Sequence, residues 1–188
     1  MRGWLRKQVN FATISSQMTR PQTTEAAPYY FKYIDLITSE DIVPTTESQM
    51  GETVQFLQSI SEEKSLYSYA PGKWTIREVL NHVNDGERLF LWRAFWFARG
   101  FQDPLPSFEQ DVAVQAAEAN QTSWAQLVAE FRTVRWASIS FFQNLPDAAW
   151  SRTGVASDNP FTVRALAYII AGHLVHHTNV LREKYGIS

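Results

Sequence analysis

The sequence contains no cysteine. That absence removes disulfide bonds, thiolate metal ligands and cysteine nucleophiles together, and it fits a reducing, cytoplasmic setting. Charge of one sign is also scarce. The formal net charge is −2 and no basic stripe runs along the chain, which argues against nucleic acid as the main partner. No apolar run approaches the roughly 20 residues that a bilayer-crossing helix needs, so no membrane partner is expected. Internal repeats and low-complexity blocks are missing too. Apolar and aromatic side chains are plentiful. The 188 residues are 45% hydrophobic and 14% aromatic, the composition of one globular domain large enough to bury its own core.

Charge is uneven at the start. Residues 1–20 carry Arg2, Arg6, Lys7 and Arg20 and no acid, leaving 13 basic and 19 acidic groups for the remainder. A basic, Ser/Thr-containing, acid-free leader has the composition of a transit peptide, without the apolar segment of a secretory signal. A disordered tail, or a start at Met18, is the simpler account, because short basic tails are common at unstructured termini. The expected organisation is a tail over residues 1–28, ending near Pro28, and one domain over residues 29–188.

Apolar periodicity in that domain predicts four helices. Met50, Val54, Leu57 and Ile60 recur at steps of three and four, placing a first helix from about Pro44 to Ile60. A Pro71-Gly72 turn follows. Thr75-Ile76-Arg77-Glu78 then has the form of a capping box and opens a second helix that runs to about Arg99. Gly100 stops it and Pro104-Leu105-Pro106 imposes an extended loop. The stretch 107–121 is ambiguous and has room for a short helix. A third helix starts near Thr122, carries Trp124, Leu127, Phe131, Val134, Ser138, Phe141 and Leu145 as a bundle seam, and ends at Pro146. Residues 154–160 read as loop. Thr162 caps a fourth helix on which Leu166, Ile170, His173, His177 and Leu181 form one stripe. No segment reads as a strand. Amphipathic helices in this number imply an all-α, four-helix bundle.

Three of the four histidines fall within five residues: His173, His176 and His177. Residues four apart share a helical face, so His173 and His177 project two imidazoles in nearly the same direction, from an otherwise apolar stripe. Buried imidazoles need partners, and one metal ion serves both. The fourth histidine, His82, lies on the second helix and can face the same interior. Three nitrogen ligands with an open position describe a catalytic rather than a closed structural metal, and the donor set suits zinc, nickel, iron or copper without choosing among them. His176 is rotated by about 100° from its neighbour and belongs at the rim. Asp85, one turn after His82, is placed to orient an imidazole or a fourth ligand. Glu87 is a second acid/base candidate, with a surface ion pair to Arg93 or another base as the plainer alternative.

Several stretches, taken together and in order, resemble the DinB/YfiT-like superfamily. They are Tyr69-Ala70-Pro71-Gly72-Lys73-Trp74-Thr75-Ile76-Arg77-Glu78-Val79-Leu80, then His82-Val83-Asn84-Asp85-Gly86-Glu87-Arg88-Leu89-Phe90, then Pro104-Leu105-Pro106-Ser107-Phe108, and finally Thr162-Val163-Arg164-Ala165-Leu166 and Gly172-His173-Leu174-Val175-His176-His177. The resemblance covers roughly residues 30–185. It implies a four-helix bundle and a metal triad of one histidine on the second helix and an H-x-x-x-H pair on the last, by position His82, His173 and His177.

The resemblance also implies the chemistry to expect: a metal-dependent hydrolase, or an S-transferase that uses a low-molecular-weight thiol such as bacillithiol, mycothiol or glutathione. In either case a small-molecule substrate meets a divalent transition metal (zinc, nickel or iron), which lowers the pKa of a water or thiol in the open position. Asp85 or Glu87 then moves protons, and Arg93, Arg99 and the Pro104–Phe108 loop are candidates for the rim. The alternative is a non-enzymatic interaction module with a structural or vestigial metal. Phe90-Leu91-Trp92-Arg93-Ala94-Phe95-Trp96-Phe97 is apolar on nearly every side, which predicts burial all round and hence a homodimer.

Overall fold

The computed structural model describes residues 19–188. Its long helices are α2 (Ile42–Gln58), α3 (Ile76–Ala98), α5 (Trp124–Gln143) and α6 (Val163–Tyr185), and they form the expected bundle. Two short helices, α1 (Phe31–Ile34) and α4 (Gln110–Ala117), and a hairpin of β1 (Thr153–Ala156) and β2 (Asn159–Thr162) complete it.

Local chemistry sets the helix ends. Thr75 accepts a hydrogen bond from the Glu78 N–H at 3.2 Å, while the Glu78 carboxylate accepts one from the Thr75 N–H at 2.7 Å. Two amides that the first turn leaves free are thereby satisfied. Ser123 and Gln126 repeat the device at α5, and Thr162 accepts from the Ala165 N–H at α6. Buried Arg77, on the first turn of α3, donates from Nε to Ser65 Oγ at 2.8 Å and from Nη1 to the Asn120 and Thr122 carbonyls at 3.0 and 2.9 Å, and it pairs with Glu62. It ties the α2–α3 and α4–α5 connections to the start of α3, which fixes the height at which His82, one turn further on, enters the bundle.

Helix α6 is buried on almost every side from Val163 to Leu174 and packs on α1, α2 and, most extensively, α3. A Cβ at Gly172 would overlap the Tyr33 carbonyl, so the missing side chain lets α1 lie directly on α6. One core cluster fills the α1 end of the α3–α6 interface and includes Ala171. The other, which includes Leu174, joins α2, α5 and the opposite ends of α3 and α6. His173 therefore sits at the junction of the two clusters.

The structure departs from the sequence reading in two places. First, the stretch read as loop holds the β1–β2 hairpin, paired Thr153↔Thr162 to Ala156↔Asn159. Its two-residue turn, Ser157-Asp158, has φ of 50° and 59°, the positive pair that a tight hairpin turn requires, supplied here without glycine. Second, the chain packs onto the bundle before Pro28. Ala26 is buried, the Glu25 carboxylate pairs with Arg164, and the Glu25 carbonyl accepts from the Thr162 N–H at 3.0 Å. These contacts dress the N-terminus of α6, where a carboxylate is favoured. Of the basic leader, residues 1–18 lie outside the described residues, whereas Arg20 pairs with Asp35 at 3.2 Å. Within the Phe90–Phe97 segment of a single chain, Phe90, Ala94 and Phe97 are buried, while Trp92 and Phe95 are each 40% exposed. Among the described residues no helix is long and apolar enough to cross a membrane.

Candidate metal centre

Helices α3 and α6 bring His82, His173 and His177 together. The Nε2 atoms of His82 and His177 each lie 3.1 Å from Nε2 of His173, and the donor atoms of all three rings fall within 4.8 Å of one another. His82 and His173 are buried and His177 is half-buried. A neutral imidazole nitrogen carries either one proton or one lone pair. Nε2 of His173 can therefore make a full hydrogen bond with only one of its two neighbours, whatever the tautomers, and the other contact is left unsatisfied. A cation at the shared point satisfies all three at once. The two 3.1 Å separations are close to what a shared ion needs: metal–nitrogen bonds of about 2.0–2.1 Å in a tetrahedral site place the nitrogens about 3.3 Å apart.

Electrostatics keep the rings neutral and ready to ligate. Burial pulls the His82 pKa down to about 4, with His176 lowering it slightly and Asp111 opposing. Burial, then the closeness of the His82 ring, pulls His177 down to about 2, and burial holds His173 well below its ordinary value. Aromatic neighbours fix the rings. Trp74 packs on His82 with centroids 5.0 Å apart, and Tyr33 and Phe90 meet His173 edge-on at 5.2 and 5.9 Å. Nδ1 of His82 and of His177 is buried with no protein partner, so orientation here comes from packing rather than from a carboxylate brace. His176 stands outside the triad, edge-on to Tyr33 and His177.

The carboxylates singled out from sequence lie elsewhere. Asp85 accepts from Asn81 Nδ2 at 2.9 Å and from Arg88 Nη1 at 3.2 Å, and Arg88 continues to Glu130 on α5 at 2.6 Å. Burial raises its pKa, against the pull of Arg88. Glu87 is fully inside, 3.0 Å from the equally buried Arg135 of α5, and burial raises its pKa too. Its partner is neither Arg93 nor a surface base. Neither Asp85 nor Glu87 lines the space in front of the histidines.

That space is a cavity of about 340 Å³, lined among others by Tyr33, His82, Gly86, Phe90, Arg93 and His173. A second cavity of about 290 Å³ opens on the other side, where His177, Trp74, Lys73 and Tyr185 form the wall. Asp111, at the first turn of α4, lines both cavities and acts electrostatically on His82. Sequence reasoning passed over Asp111 because only the fold of the 104–121 connection carries it to the histidines. Gln110–Ala117 was readable as a short helix, but its destination was not.

The DinB superfamily sequence model matches residues 45–181. The chain belongs to the DinB superfamily. Comparison with curated protein sequences finds no match. Two solved structures share the superfamily chain's fold. One is YfiT from Bacillus subtilis, described as a probable metal-dependent hydrolase with an unusual four-helix bundle topology. It matches with a TM-score of 0.65 at 14% identity, over 89% of this chain and 94% of YfiT. The other is a mycothiol-dependent maleylpyruvate isomerase, with a TM-score of 0.63 at 11% identity over 77% of this chain. This DinB-superfamily chain spans 61% of the isomerase's length. At such identities the likeness shows the fold.

Proposed function

We propose that this chain is a metal-dependent enzyme acting on small molecules, and that His82, His173 and His177 hold one divalent transition ion. The observation that carries this reading is the convergence of three neutral imidazoles at the inner end of an open cavity. A fully enclosed site would favour a structural ion instead. When bound, the ion supplies Lewis acidity and lowers the pKa of whatever occupies its open position. The protein supplies the rest. Packing by Trp74, Tyr33 and Phe90 orients the ligands, and burial keeps them deprotonated.

Thiol transfer is the first reading and hydrolysis the second. Two cavities meeting at the triad suit two co-substrates, a low-molecular-weight thiol and an electrophile, whereas hydrolysis needs only one. Asp111 faces both cavities and is the group we assign to proton transfer. Asp85, braced by Asn81 and Arg88, positions the stretch of α3 that carries His82, and Glu87 serves the core. The fold neighbours, a probable metal-dependent hydrolase and a mycothiol-dependent isomerase by description, are compatible with either chemistry.

The test begins with metal content. Tag-free protein should hold about one equivalent of zinc, nickel or iron, His82→Ala and His173→Ala should lose it, and His176→Ala should keep it. Loaded protein is then assayed for conjugation of glutathione to 1-chloro-2,4-dinitrobenzene and for hydrolysis of p-nitrophenyl acetate. Failure of the parent to retain any of these ions after loading and dialysis would sink the enzyme reading and leave an interaction module in its place.

A further inference from the structure

The cavity has a second chemical pole. Along α3, His82, Gly86, Phe90 and Arg93 follow one another at helical spacing and all line it. Eleven residues separate His82 from Arg93, about 16 Å of helix axis, and long helical side chains lean toward the N-terminus, so Arg93 reaches back along the cavity toward the triad. Its guanidinium lies 6.0 Å from the Phe90 ring.

Arg93 is 1% exposed, yet no carboxylate among the described residues lies within ion-pair distance of it. Its Nη2 donates to the Pro106 carbonyl at 3.0 Å and to Ser157 Oγ at 2.9 Å, which uses both protons of that nitrogen. Its Nε–H is buried with no partner. An arginine stays charged when buried, and a buried charge without a counter-ion is costly. Arg77 and Arg135, the other buried arginines, each have a glutamate. The acids of this cavity, Glu109 and Asp111, are exposed whereas Arg93 is buried, so its negative charge meets solvent and its positive charge does not.

We propose that the cavity binds an elongated, partly apolar substrate through a carboxylate, anchored by Arg93 at the end remote from the histidines. Phe90 flanks its apolar middle, Tyr30 stands beside the guanidinium at the anchoring end, and its reacting group faces the triad. The proposal rests on the reading of the triad as the reacting end, but carboxylate binding does not itself require the metal.

The probe is 3-phenylpropionate, with the neutral 3-phenylpropionamide as control, titrated calorimetrically into zinc-loaded protein. The acid should bind at least tenfold more tightly than the amide. Arg93→Met should abolish that preference while keeping its zinc, and His82→Ala should lose zinc while keeping the preference. The opposite pattern, preference lost in His82→Ala and kept in Arg93→Met, would place the carboxylate on the metal and overturn the proposal, as would binding of neither probe. Because Arg93 also holds Pro106 and Ser157, the parent protein provides a check that needs no variant. Its arginine Nε–H resonances, recorded by ¹⁵N NMR and assigned with Arg93→Lys, should show a 3-phenylpropionate-dependent shift at Arg93, and saturation without one would equally reject the assignment. Absence of zinc from every variant would remove the enzyme reading but leave the acid-over-amide preference measurable.

Discussion

Gly86 faces the ring of His173 so closely that a Cβ there would lie 2.9 Å from Cε1 and 3.3 Å from Nδ1. A glycine inside α3 costs about 1 kcal/mol of helix stability relative to alanine, and here it makes room for the central ligand. Gly86→Ala should therefore separate fold from site. The variant should unfold at a temperature no lower than the parent's in the metal-free state, while its metal affinity, measured by chelator competition, falls about tenfold or more because His173 is displaced. Unchanged affinity would show that the ring has slack.

The neutral histidines predict an acid-labile fold without metal. In the unfolded chain an imidazole titrates near 6.5. In the folded protein His82 titrates at about 4 and His177 at about 2, both lowered chiefly by burial. Below pH 6.5 the unfolded state thus binds more protons, and stability falls as pH falls, by up to about 1.4 kcal/mol per pH unit for each such ring, until the folded pKa is reached. Metal-free protein should lose stability steadily from pH 6.5 toward pH 4, as followed by urea unfolding. His82→Ala should show a shallower slope, and an unchanged slope would mean that His82 is not held neutral.

Much of this architecture is legible in the chain, because its determinants are local. The Thr75–Glu78 capping box, the stop at Gly100 and the Thr162 cap are each settled within four residues. The His173/His177 pair follows from helical spacing alone, His82 joined it from its place on the second helix, and the family resemblance implied the same three residues. What the sequence hides is long-range. Glu87 reads as a surface acid until Arg135, 48 positions later, is seen beside it. Glu25 reads as tail until Arg164 appears against it. The hairpin escaped because Ser157 and Asp158 adopt positive φ without the glycine that announces such turns. Asp111 escaped because spacing along a chain does not say where a loop returns.

Asp111→Asn should test the proton-transfer assignment. Loss of a general base typically costs a factor of about 10²–10⁴, so kcat in the glutathione conjugation or ester assay should fall about 100-fold at neutral pH, with metal content and KM held near the parent's. Asp85→Asn should fall far less, because Asp85 does not line the cavity. Equal losses would return Asp85 to the proton-transfer role.

The partly exposed Trp92 and Phe95 bear on assembly. We propose that this face of α3 joins two copies, since exposed aromatics on a helix that is otherwise buried are better covered than solvated. Trp92→Glu should then convert a dimer to a monomer in light scattering at micromolar concentration, leaving the helical circular dichroism intact. A monomeric parent would reject the pairing outright.

Glu87 and Arg135 make the sharpest prediction about the core. Their closest atoms are 3.0 Å apart, but Nε, Nη1 and Nη2 of Arg135 and Oε1 of Glu87 lack aligned hydrogen-bond partners. The pair is held by charge rather than by directed bonds. Removing one member leaves the other buried and uncompensated, which costs about 3–5 kcal/mol, whereas replacing both with apolar groups of similar size is often neutral. Arg135→Met should therefore lower the urea midpoint severely, and adding Glu87→Leu should restore most of it. Metal content of the double variant should match the parent's. If it is lost along with the single variant's stability, Glu87 acts on the site after all, and the acid/base role expected for it from sequence would return.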